Sequence, residues 1–208
     1  MQRIEHREKK WQFPFIEYSP ENKRENLPVI IQLHGAGERG EGAEDLSLVD
    51  KHGFTHVIKD TDFDCIFIMP QCPKEEFWAG RVESVVKFIE DIILEYKADK
   101  KRIYLTGSSM GGYGTWFVAM ARPDLFAAIA PACGGGMAWN AKVLTMPVWA
   151  FHGALDKTVL PIHSEEMVKE MRACGLDVKY TVFDDVAHSL QSLTFTRELI
   201  DWFLTKSK

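Results

Sequence analysis

The chain has 208 residues, of which 46% are hydrophobic and 26% charged, and a formal net charge of −5. This composition predicts one globular domain over residues 1–208, large enough to bury a substantial core. It excludes an electrostatic nucleic-acid binder, because no stripe of Lys and Arg stands out. No apolar run reaches the length of a membrane span, so we expect no membrane partner.

The N-terminus and the cysteines favour a cytoplasmic protein. The first ten residues lack the apolar core of a signal peptide. The four cysteines have no zinc-like spacing, and two of them lie among apolar or small residues. We therefore expect reduced thiols and no bound metal.

Short apolar runs alternate with longer helical patterns along the chain. The predicted strands are 11–18 (an edge strand interrupted by Pro14), 28–33, 65–69, 103–106, 127–131, 148–151 and 178–183. The predicted helices are 82–96, 110–122, 164–174 and 193–204. This alternation predicts an α/β fold, with a mostly parallel central sheet flanked by helices on both faces.

The strand at 103–106 leads directly into a Gly-x-Ser-x-Gly frame. Ser109 has Gly107 and Gly111 two residues to either side, and a largely buried helical pattern follows. A serine at a sharp strand-to-helix turn projects its hydroxyl above the sheet, and residues without a Cβ fit best around it. The frame therefore predicts a nucleophilic Ser109. A Gly/Ser-rich turn between two core elements is the alternative.

A serine hydroxyl needs a base to take its proton and an acid to orient that base. Asp156 follows the strand at 148–151, and His188 follows the strand at 178–183. Both would lie at the carboxyl ends of strands, where open α/β sheets place their sites. Asp156 as an ordinary turn residue is the alternative, and Asp184 and Asp185 compete with it in sequence. Of the other histidines, His34 and His152 are expected to support loops and His6, His52, His56 and His163 to lie at the surface.

The developing oxyanion needs backbone N–H donors. The residue after the nucleophile, Met110, supplies one candidate, and the glycine-rich loop after the strand at 28–33 supplies another. In that loop we favour Ala36, with Gly35 as the open alternative. A phosphate-binding role is not supported, because the chain has neither G-x-x-x-x-G-K-[ST] nor a G-x-G-x-x-G at a first strand–helix turn.

The order Ser109, Asp156, His188 is that of α/β-hydrolases. From about residue 28 to the C-terminus the chain resembles that superfamily, close to its dienelactone-hydrolase, phospholipase/carboxylesterase and feruloyl-esterase-like branches. The resemblance is carried by Leu33-His-Gly-Ala-Gly-Glu-Arg-Gly40, Gly107-Ser-Ser-Met-Gly-Gly112, His152-Gly-Ala-Leu-Asp-Lys-Thr-Val159 and Ala187-His188-Ser. It implies a Ser-His-Asp esterase that needs no cofactor. Dienelactone hydrolases proper carry a cysteine nucleophile, so general ester hydrolysis is the expectation for a chain with serine at 109.

The loops around the predicted site suggest what it accepts. The segment between the strands at 127–131 and 148–151 is too short for a large lid domain, so we expect an open or shallow pocket. Trp78 and Trp139 are predicted to bind substrate, with filling of the core as the alternative for either. Glu38 and Arg39 either orient a polar substrate or close their loop with a salt bridge.

These observations predict a serine carboxylesterase whose partner is a small-molecule ester. The expected substrates are short-chain acyl or aryl esters, with feruloyl and acetyl-sugar esters among them. A peptidase-like serine hydrolase that cleaves small amides or peptides is the alternative, since amides use the same triad. A catalytically inactive binding module would show a broken triad, and the sequence shows none.

Overall fold

The residues described by a computed structural model, 1–22, 24–42, 44–59 and 61–208, form one eight-stranded sheet. In chain order the strands are β1 (Gln2–His6), β2 (Phe15–Ser19), β3 (Val29–Leu33), β4 (Ile66–Pro70), β5 (Ile103–Ser108), β6 (Ala128–Ala132), β7 (Val148–Gly153) and β8 (Val178–Phe183). Their spatial order is β1-β2-β4-β3-β5-β6-β7-β8. The pairs from β4 to β8 are parallel, whereas β1 and β2 add two antiparallel pairs at one edge.

Helices cover both faces of this sheet. They are α1 (Thr55–Ile58), α2 (Val82–Glu95), α3 (Met110–Ala121), α4 (Ile162–Ala173), α5 (Gln191–Thr194) and α6 (Arg197–Leu204). Short 3-10 helices lie at Ala36–Glu38, Leu46–Asp50, Trp78–Gly80, Pro123–Leu125 and Ala138–Val143. None of the helices in the described part of the chain is both long enough and apolar enough to span a bilayer.

Alternate residues of the parallel strands feed two separate cores. In β3, Val29 and Ile31 join the cluster that contains the apolar side chains of α2, α3 and α4. Ile30 points the other way, into the cluster that contains those of α1 and α6. Because successive side chains of a strand alternate between faces, a strand buried on both sides is apolar along most of its length. The predicted α/β architecture, mostly parallel and covered on both faces, is confirmed.

The structure differs from the prediction at both ends of the chain. The segment predicted as an edge strand forms β2, which begins only at Phe15 and lies inside the sheet, because β1 pairs along its outer side. The single closing helix is divided into α5 and α6. Thr196 interrupts it with extended backbone (φ −104°, ψ 170°), and its side chain accepts a hydrogen bond from the Leu199 N–H at 3.4 Å. A threonine that caps a helix in this way starts a new helix.

The parallel strands all end at the same edge of the sheet. The loops after β3, β4, β5, β6, β7 and β8 therefore meet there, and these loops carry the predicted functional residues. Between β6 and β7 the chain contains a single short helix, Ala138–Val143, in place of a lid.

Candidate active site

Ser109 lies at the turn that joins β5 to α3. Its backbone is strained, with φ 58° and ψ −117°, and its N–H donates to the Ala132 carbonyl at 3.0 Å. A Cβ on Gly111 would collide with the carbonyl oxygen of Leu33, and one on Gly107 would lie 2.6 Å from the same atom. The two glycines therefore let the turn pack against β3. A non-glycine residue held in this conformation is typical of a functional position.

Three side chains predicted from the sequence form one hydrogen-bonded chain. His188 Nε2 lies 2.8 Å from Ser109 Oγ, and His188 Nδ1 lies 2.7 Å from Asp156 Oδ2. Because a carboxylate only accepts hydrogen bonds, the imidazole proton belongs on Nδ1. The lone pair of Nε2 then faces the serine hydroxyl. This is the arrangement of a nucleophile, a base and an orienting acid.

Asp156 is buried, at 2% exposure, but its carboxylate accepts hydrogen bonds from several protein groups. Burial alone raises its pKa, but hydrogen bonds from His188 and from the backbone N–H groups of Val159 and Thr158 outweigh this and lower the pKa below its usual range. Both N–H groups donate to Oδ1 at 2.9 Å, which leaves Oδ2 to His188. The carboxylate is therefore ionised at neutral pH and held in one orientation.

The competing residues form no hydrogen bond with Ser109, Asp156 or His188, although His152 Nε2 lies 3.5 Å from Asp156 Oδ2. Ser108 is buried, and its hydroxyl lies 3.4 Å from Cys133 Sγ. Asp184 and Asp185 are both exposed. His152 is fully buried, and its Nε2 lies 2.9 Å from the carbonyl oxygen of Val159, so it supports the loop that carries Asp156. That loop-supporting role agrees with the expectation for His152.

Two backbone N–H groups are available near the nucleophile. Met110 is the first residue of α3, and Ala36 is the first residue of the 3-10 helix Ala36–Glu38. The N–H at the first position of a helix has no acceptor within that helix. Gly35 brings the second loop close, because a Cβ on Gly35 would lie 3.9 Å from Ser109 Cβ. Both predicted oxyanion donors thus lie on segments next to Ser109.

His34 holds the loop that carries Ala36. It is 4% exposed, and its Nε2 accepts a hydrogen bond from the Cys72 N–H at 2.9 Å. The proton therefore resides on Nδ1, which donates to the Gly35 carbonyl at 2.6 Å. Burial lowers the pKa of His34 to about 4, so the ring is neutral at physiological pH. The expectation that His34 supports a loop agrees with these contacts.

Trp78 also holds this loop, which corrects its predicted role as a substrate-binding residue. Its side chain is fully buried, and its indole N–H donates to the His34 carbonyl at 3.0 Å. Its ring packs edge-on against that of His34, with the centroids 5.1 Å apart. A side chain with no exposed surface cannot contact a substrate, so that prediction was wrong for Trp78.

Trp139, by contrast, is 81% exposed and belongs to the helix Ala138–Val143, after β6.

Glu38 and Arg39 do not pair with each other. Arg39 donates from Nε to the Ala36 carbonyl at 3.0 Å, and its guanidinium lies 5.0 Å from the centroid of the exposed Phe77 ring. Arg39 therefore contacts its own loop through a hydrogen bond to the backbone, without a salt bridge to Glu38.

Gln71 follows β4 directly and was not predicted from the sequence as a residue of the site. Its amide is buried and joins three points of the loop after β3. Nε2 donates to the carbonyl oxygens of Glu38 (3.1 Å) and Asp45 (3.0 Å), and Oε1 accepts from the Gly42 N–H at 2.9 Å. Its position could have been noticed in the sequence, because it is a polar residue immediately after a fully apolar strand. Such a residue lies at the edge of the sheet where the loops meet.

Among the described residues, one group has the composition of a metal-binding cluster. The ligand atoms of Cys133, Asp156 and His188 lie within 4.8 Å of one another. Two of the three, however, are already joined by the 2.7 Å hydrogen bond from His188 to Asp156. A metal bound by both would have to replace that bond, so these residues fit a proton relay better than a metal site.

The fold and this site together define an α/β-hydrolase. The sequence matches the model of the dienelactone hydrolase family over residues 69–194, which is more than half of the chain. The chain belongs to the dienelactone hydrolase family.

Proteins similar to this chain include esterases and a peptidase. A probable acetylxylan esterase A from Aspergillus clavatus is 24% identical over 195 residues, covering 74% of this chain and 63% of that protein. A thermostable esterase has a solved structure that superimposes with a TM-score of 0.81 at 28% identity, covering all of this chain and 63% of the other. An acylaminoacyl peptidase from Pyrococcus horikoshii shares the fold, with a TM-score of 0.71 at 16% identity, over 41% of its length. The chain thus spans less than two thirds of these proteins.

Proposed function

We propose that the chain is a serine carboxylesterase that hydrolyses short-chain acyl esters, with acetyl esters of sugars as the favoured class. The proposal rests above all on the hydrogen-bonded chain from Ser109 through His188 to Asp156, at 2.8 and 2.7 Å. It is supported by membership of the dienelactone hydrolase family and by similarity to an acetylxylan esterase.

In the proposed reaction, His188 Nε2 takes the proton of Ser109 as Oγ attacks the ester carbonyl. The imidazolium that forms is stabilised by Asp156, which stays ionised because its pKa is lowered overall. The new C–O bond yields a tetrahedral intermediate whose negative charge lies on the former carbonyl oxygen. Collapse of this intermediate transfers the proton from Nε2 to the departing alcohol and leaves an acyl-enzyme on Ser109.

The oxyanion is stabilised by the N–H groups of Met110 and Ala36. The orientation of the second donor follows from its peptide plane. In a trans peptide the C=O and the N–H point in opposite directions. The Gly35 carbonyl is held by His34 at 2.6 Å, so the N–H of Ala36 in the same peptide points away from His34.

A water molecule, activated by the same His188, then hydrolyses the acyl-enzyme.

The expected substrates follow from the open edge of the sheet. Without a lid domain in the described chain between β6 and β7, a long acyl chain gains little buried surface, which favours short acyl groups. The exposed indole of Trp139 offers a flat apolar face for an aryl ring or a sugar ring. A sugar acetate combines a short acyl group with such a ring.

The experiment that tests the proposal is hydrolysis of 4-nitrophenyl acetate by wild-type protein and by Ser109→Ala. We expect the variant to lose activity by a factor of about 10³ or more, because the nucleophile is absent. Ser108→Ala is the matched control, since that hydroxyl bonds toward Cys133, and it should keep most of the activity. Undiminished hydrolysis by Ser109→Ala would overturn the proposal.

Two further comparisons define the reaction class and the acyl group. Hydrolysis of 4-nitroacetanilide, the amide counterpart of the acetate ester, measures the peptidase-like alternative, and we expect the ester to be strongly preferred. A series of 4-nitrophenyl esters from acetyl to decanoyl measures the acyl group. A strong preference for the long chains would contradict the open pocket.

A further inference from the structure

A small cavity lies under the loop that follows β3, and Ser108, the residue before Ser109, is part of its lining. Its volume is about 20 Å³. This is room for one water molecule or one hydroxyl group, since a water-sized probe occupies about 10–15 Å³. Its lining joins the β3 loop to the segment after His188, and it includes Gly35, Glu38, His52, Ser108 and Gln191.

The carboxylate of Glu38 lines this cavity without a hydrogen-bond donor among the described residues. Its side chain is only 14% exposed. The nearest ring nitrogens are His52 Nε2, at 3.7 Å from Oε1, and His34 Nδ1, at 3.9 Å from Oε2. Neither is within hydrogen-bond distance, and the His34 proton is already donated to the Gly35 carbonyl. Both carboxylate oxygens are therefore free to accept a hydrogen bond from a ligand that enters the cavity.

This carboxylate is also close to the reacting serine. A Cβ built on Gly35 would lie 3.2 Å from Glu38 Oε2 and 3.9 Å from Ser109 Cβ. The carboxylate oxygen and Ser109 Cβ are therefore no more than about 7 Å apart. The glycine at position 35 leaves the space between them unfilled. A substrate bound at Ser109 has groups next to its ester within this span.

We propose that Glu38 and this cavity recognise a free hydroxyl group on the carbon next to the scissile ester. The inference rests on the proposed esterase function and narrows its substrate class to partially acylated polyols and sugars. A carboxylate only accepts hydrogen bonds, so the bound group must be a donor. The remaining walls include the apolar side chains of Val49 and Phe195. A hydroxyl group places its single O–H on Glu38, and one hydroxyl group fits a cavity of about 20 Å³.

The test uses ester pairs that differ by one hydroxyl. Cyclohexyl acetate and trans-2-hydroxycyclohexyl acetate place it on the alcohol, and methyl propionate and methyl lactate place it on the acyl group. We expect wild-type protein to prefer the hydroxylated member of at least one pair by roughly tenfold in kcat/KM, the range of a hydrogen bond to a charged group. Glu38→Leu should reduce that ratio to about one, and Glu38→Gln, which keeps an acceptor, should give an intermediate ratio.

Two more variants separate this role from a general effect on the loop. Gly35→Ala keeps the carboxylate but places a methyl group in the gap, and its φ of −75° is accessible to alanine. It should also lower the ratio. Glu41→Gln removes an exposed carboxylate from the same loop and should leave the ratio at the wild-type value.

The outcomes distinguish the inference from the function on which it rests. Equal ratios in wild-type protein, Glu38→Leu and Gly35→Ala for both pairs, with all four esters hydrolysed, would overturn the hydroxyl site alone. An absence of hydrolysis of every ester by wild-type protein would contradict the esterase function, and the hydroxyl site with it.

Discussion

The imidazole of His34 donates from Nδ1 to the carbonyl oxygen of Gly35 at 2.6 Å. The proton position follows from the other nitrogen, which accepts the Cys72 N–H at 2.9 Å. One buried histidine thus connects the segment after β4 to the peptide whose N–H is the proposed oxyanion donor. The hydrogen bond from His34 therefore orients the peptide of the proposed oxyanion donor, although His34 itself is not proposed to contact the substrate.

The first prediction separates the two hydrogen bonds of His34. His34→Asn keeps an N–H close to the position of Nδ1, whereas His34→Gln places its amide close to the position of Nε2. We expect His34→Gln to lower kcat for 4-nitrophenyl acetate by roughly tenfold to a hundredfold, because a misdirected oxyanion donor loses much of its effect. His34→Asn should retain more activity, and KM should change little in either variant. Equal loss in both variants would show that the Gly35 bond does not control the donor.

The second prediction concerns stability at acidic pH. Burial lowers the pKa of His34 to about 4, against 6.5 for an ordinary histidine, with the nearby charge of Arg39 acting in the same direction and the Gly35 carbonyl opposing it. Between these values the unfolded chain binds a proton that the folded protein does not. The free energy of unfolding therefore decreases as the pH falls from 6.5 to about 4, by about 3 kcal/mol from this group.

Urea unfolding of wild-type protein and of His34→Asn at pH 7.5 and pH 4.5 measures this contribution. Groups other than His34 titrate in both proteins and cancel in the comparison. The stability advantage of the wild-type protein should therefore shrink at the lower pH. An advantage that grows on acidification would mean that His34 is protonated in the folded protein.

Much of the fold and of the candidate site could be predicted from the sequence, because both depend on local patterns. Apolar runs that alternate with helical spacing specify a covered parallel sheet, and parallel strands bring the loops after them to one edge. Ser109, Asp156 and His188 each follow a predicted strand. This placement alone explains why their side chains come together in the structure, while their catalytic roles stay predictions.

Other features depend on tertiary packing that the sequence does not display. β1 contains one strongly apolar residue, Ile4, so its pattern is weak, and it becomes a strand by pairing with β2. Trp78 and Trp139 lie in similar short loops, yet one is buried and one exposed. The difference arises at Gly114 of α3, where a Cβ would lie 2.5 Å from Trp78 Cβ. Only the folded chain shows that this glycine makes room for the indole.

The third prediction concerns the orientation of His188. In Asp156→Asn, the amide oxygen would accept the N–H groups of Thr158 and Val159 in place of Oδ1, so the amide N–H would face His188 Nδ1. The imidazole would then carry its proton on Nε2 and could not accept one from Ser109. We expect kcat to fall by about 10³ to 10⁴ with the fold intact. Asp185→Asn, at an exposed carboxylate near His188 in sequence, is the control and should stay active.

The fourth prediction contrasts the two tryptophans. Trp78→Phe removes the N–H that donates to the His34 carbonyl, and it leaves that buried oxygen without this donor. We expect the free energy of unfolding to fall by about 1–3 kcal/mol and kcat to fall with it, because the loop that carries the proposed oxyanion donor loses a support. Trp139→Ala should change stability by less than about 0.5 kcal/mol, since its side chain is 81% exposed.

For Trp139 the expected effect is on binding. If its indole stacks on the substrate ring, Trp139→Ala raises KM for an aryl or sugar acetate several-fold, while KM for ethyl acetate, which has no ring, changes little. Urea unfolding and steady-state kinetics on both variants separate the two roles. A side chain that only binds a substrate ring affects neither the stability of the folded protein nor KM for an ester without a ring. A loss of stability in Trp139→Ala, or an equal change in KM for both esters, would therefore assign Trp139 to packing.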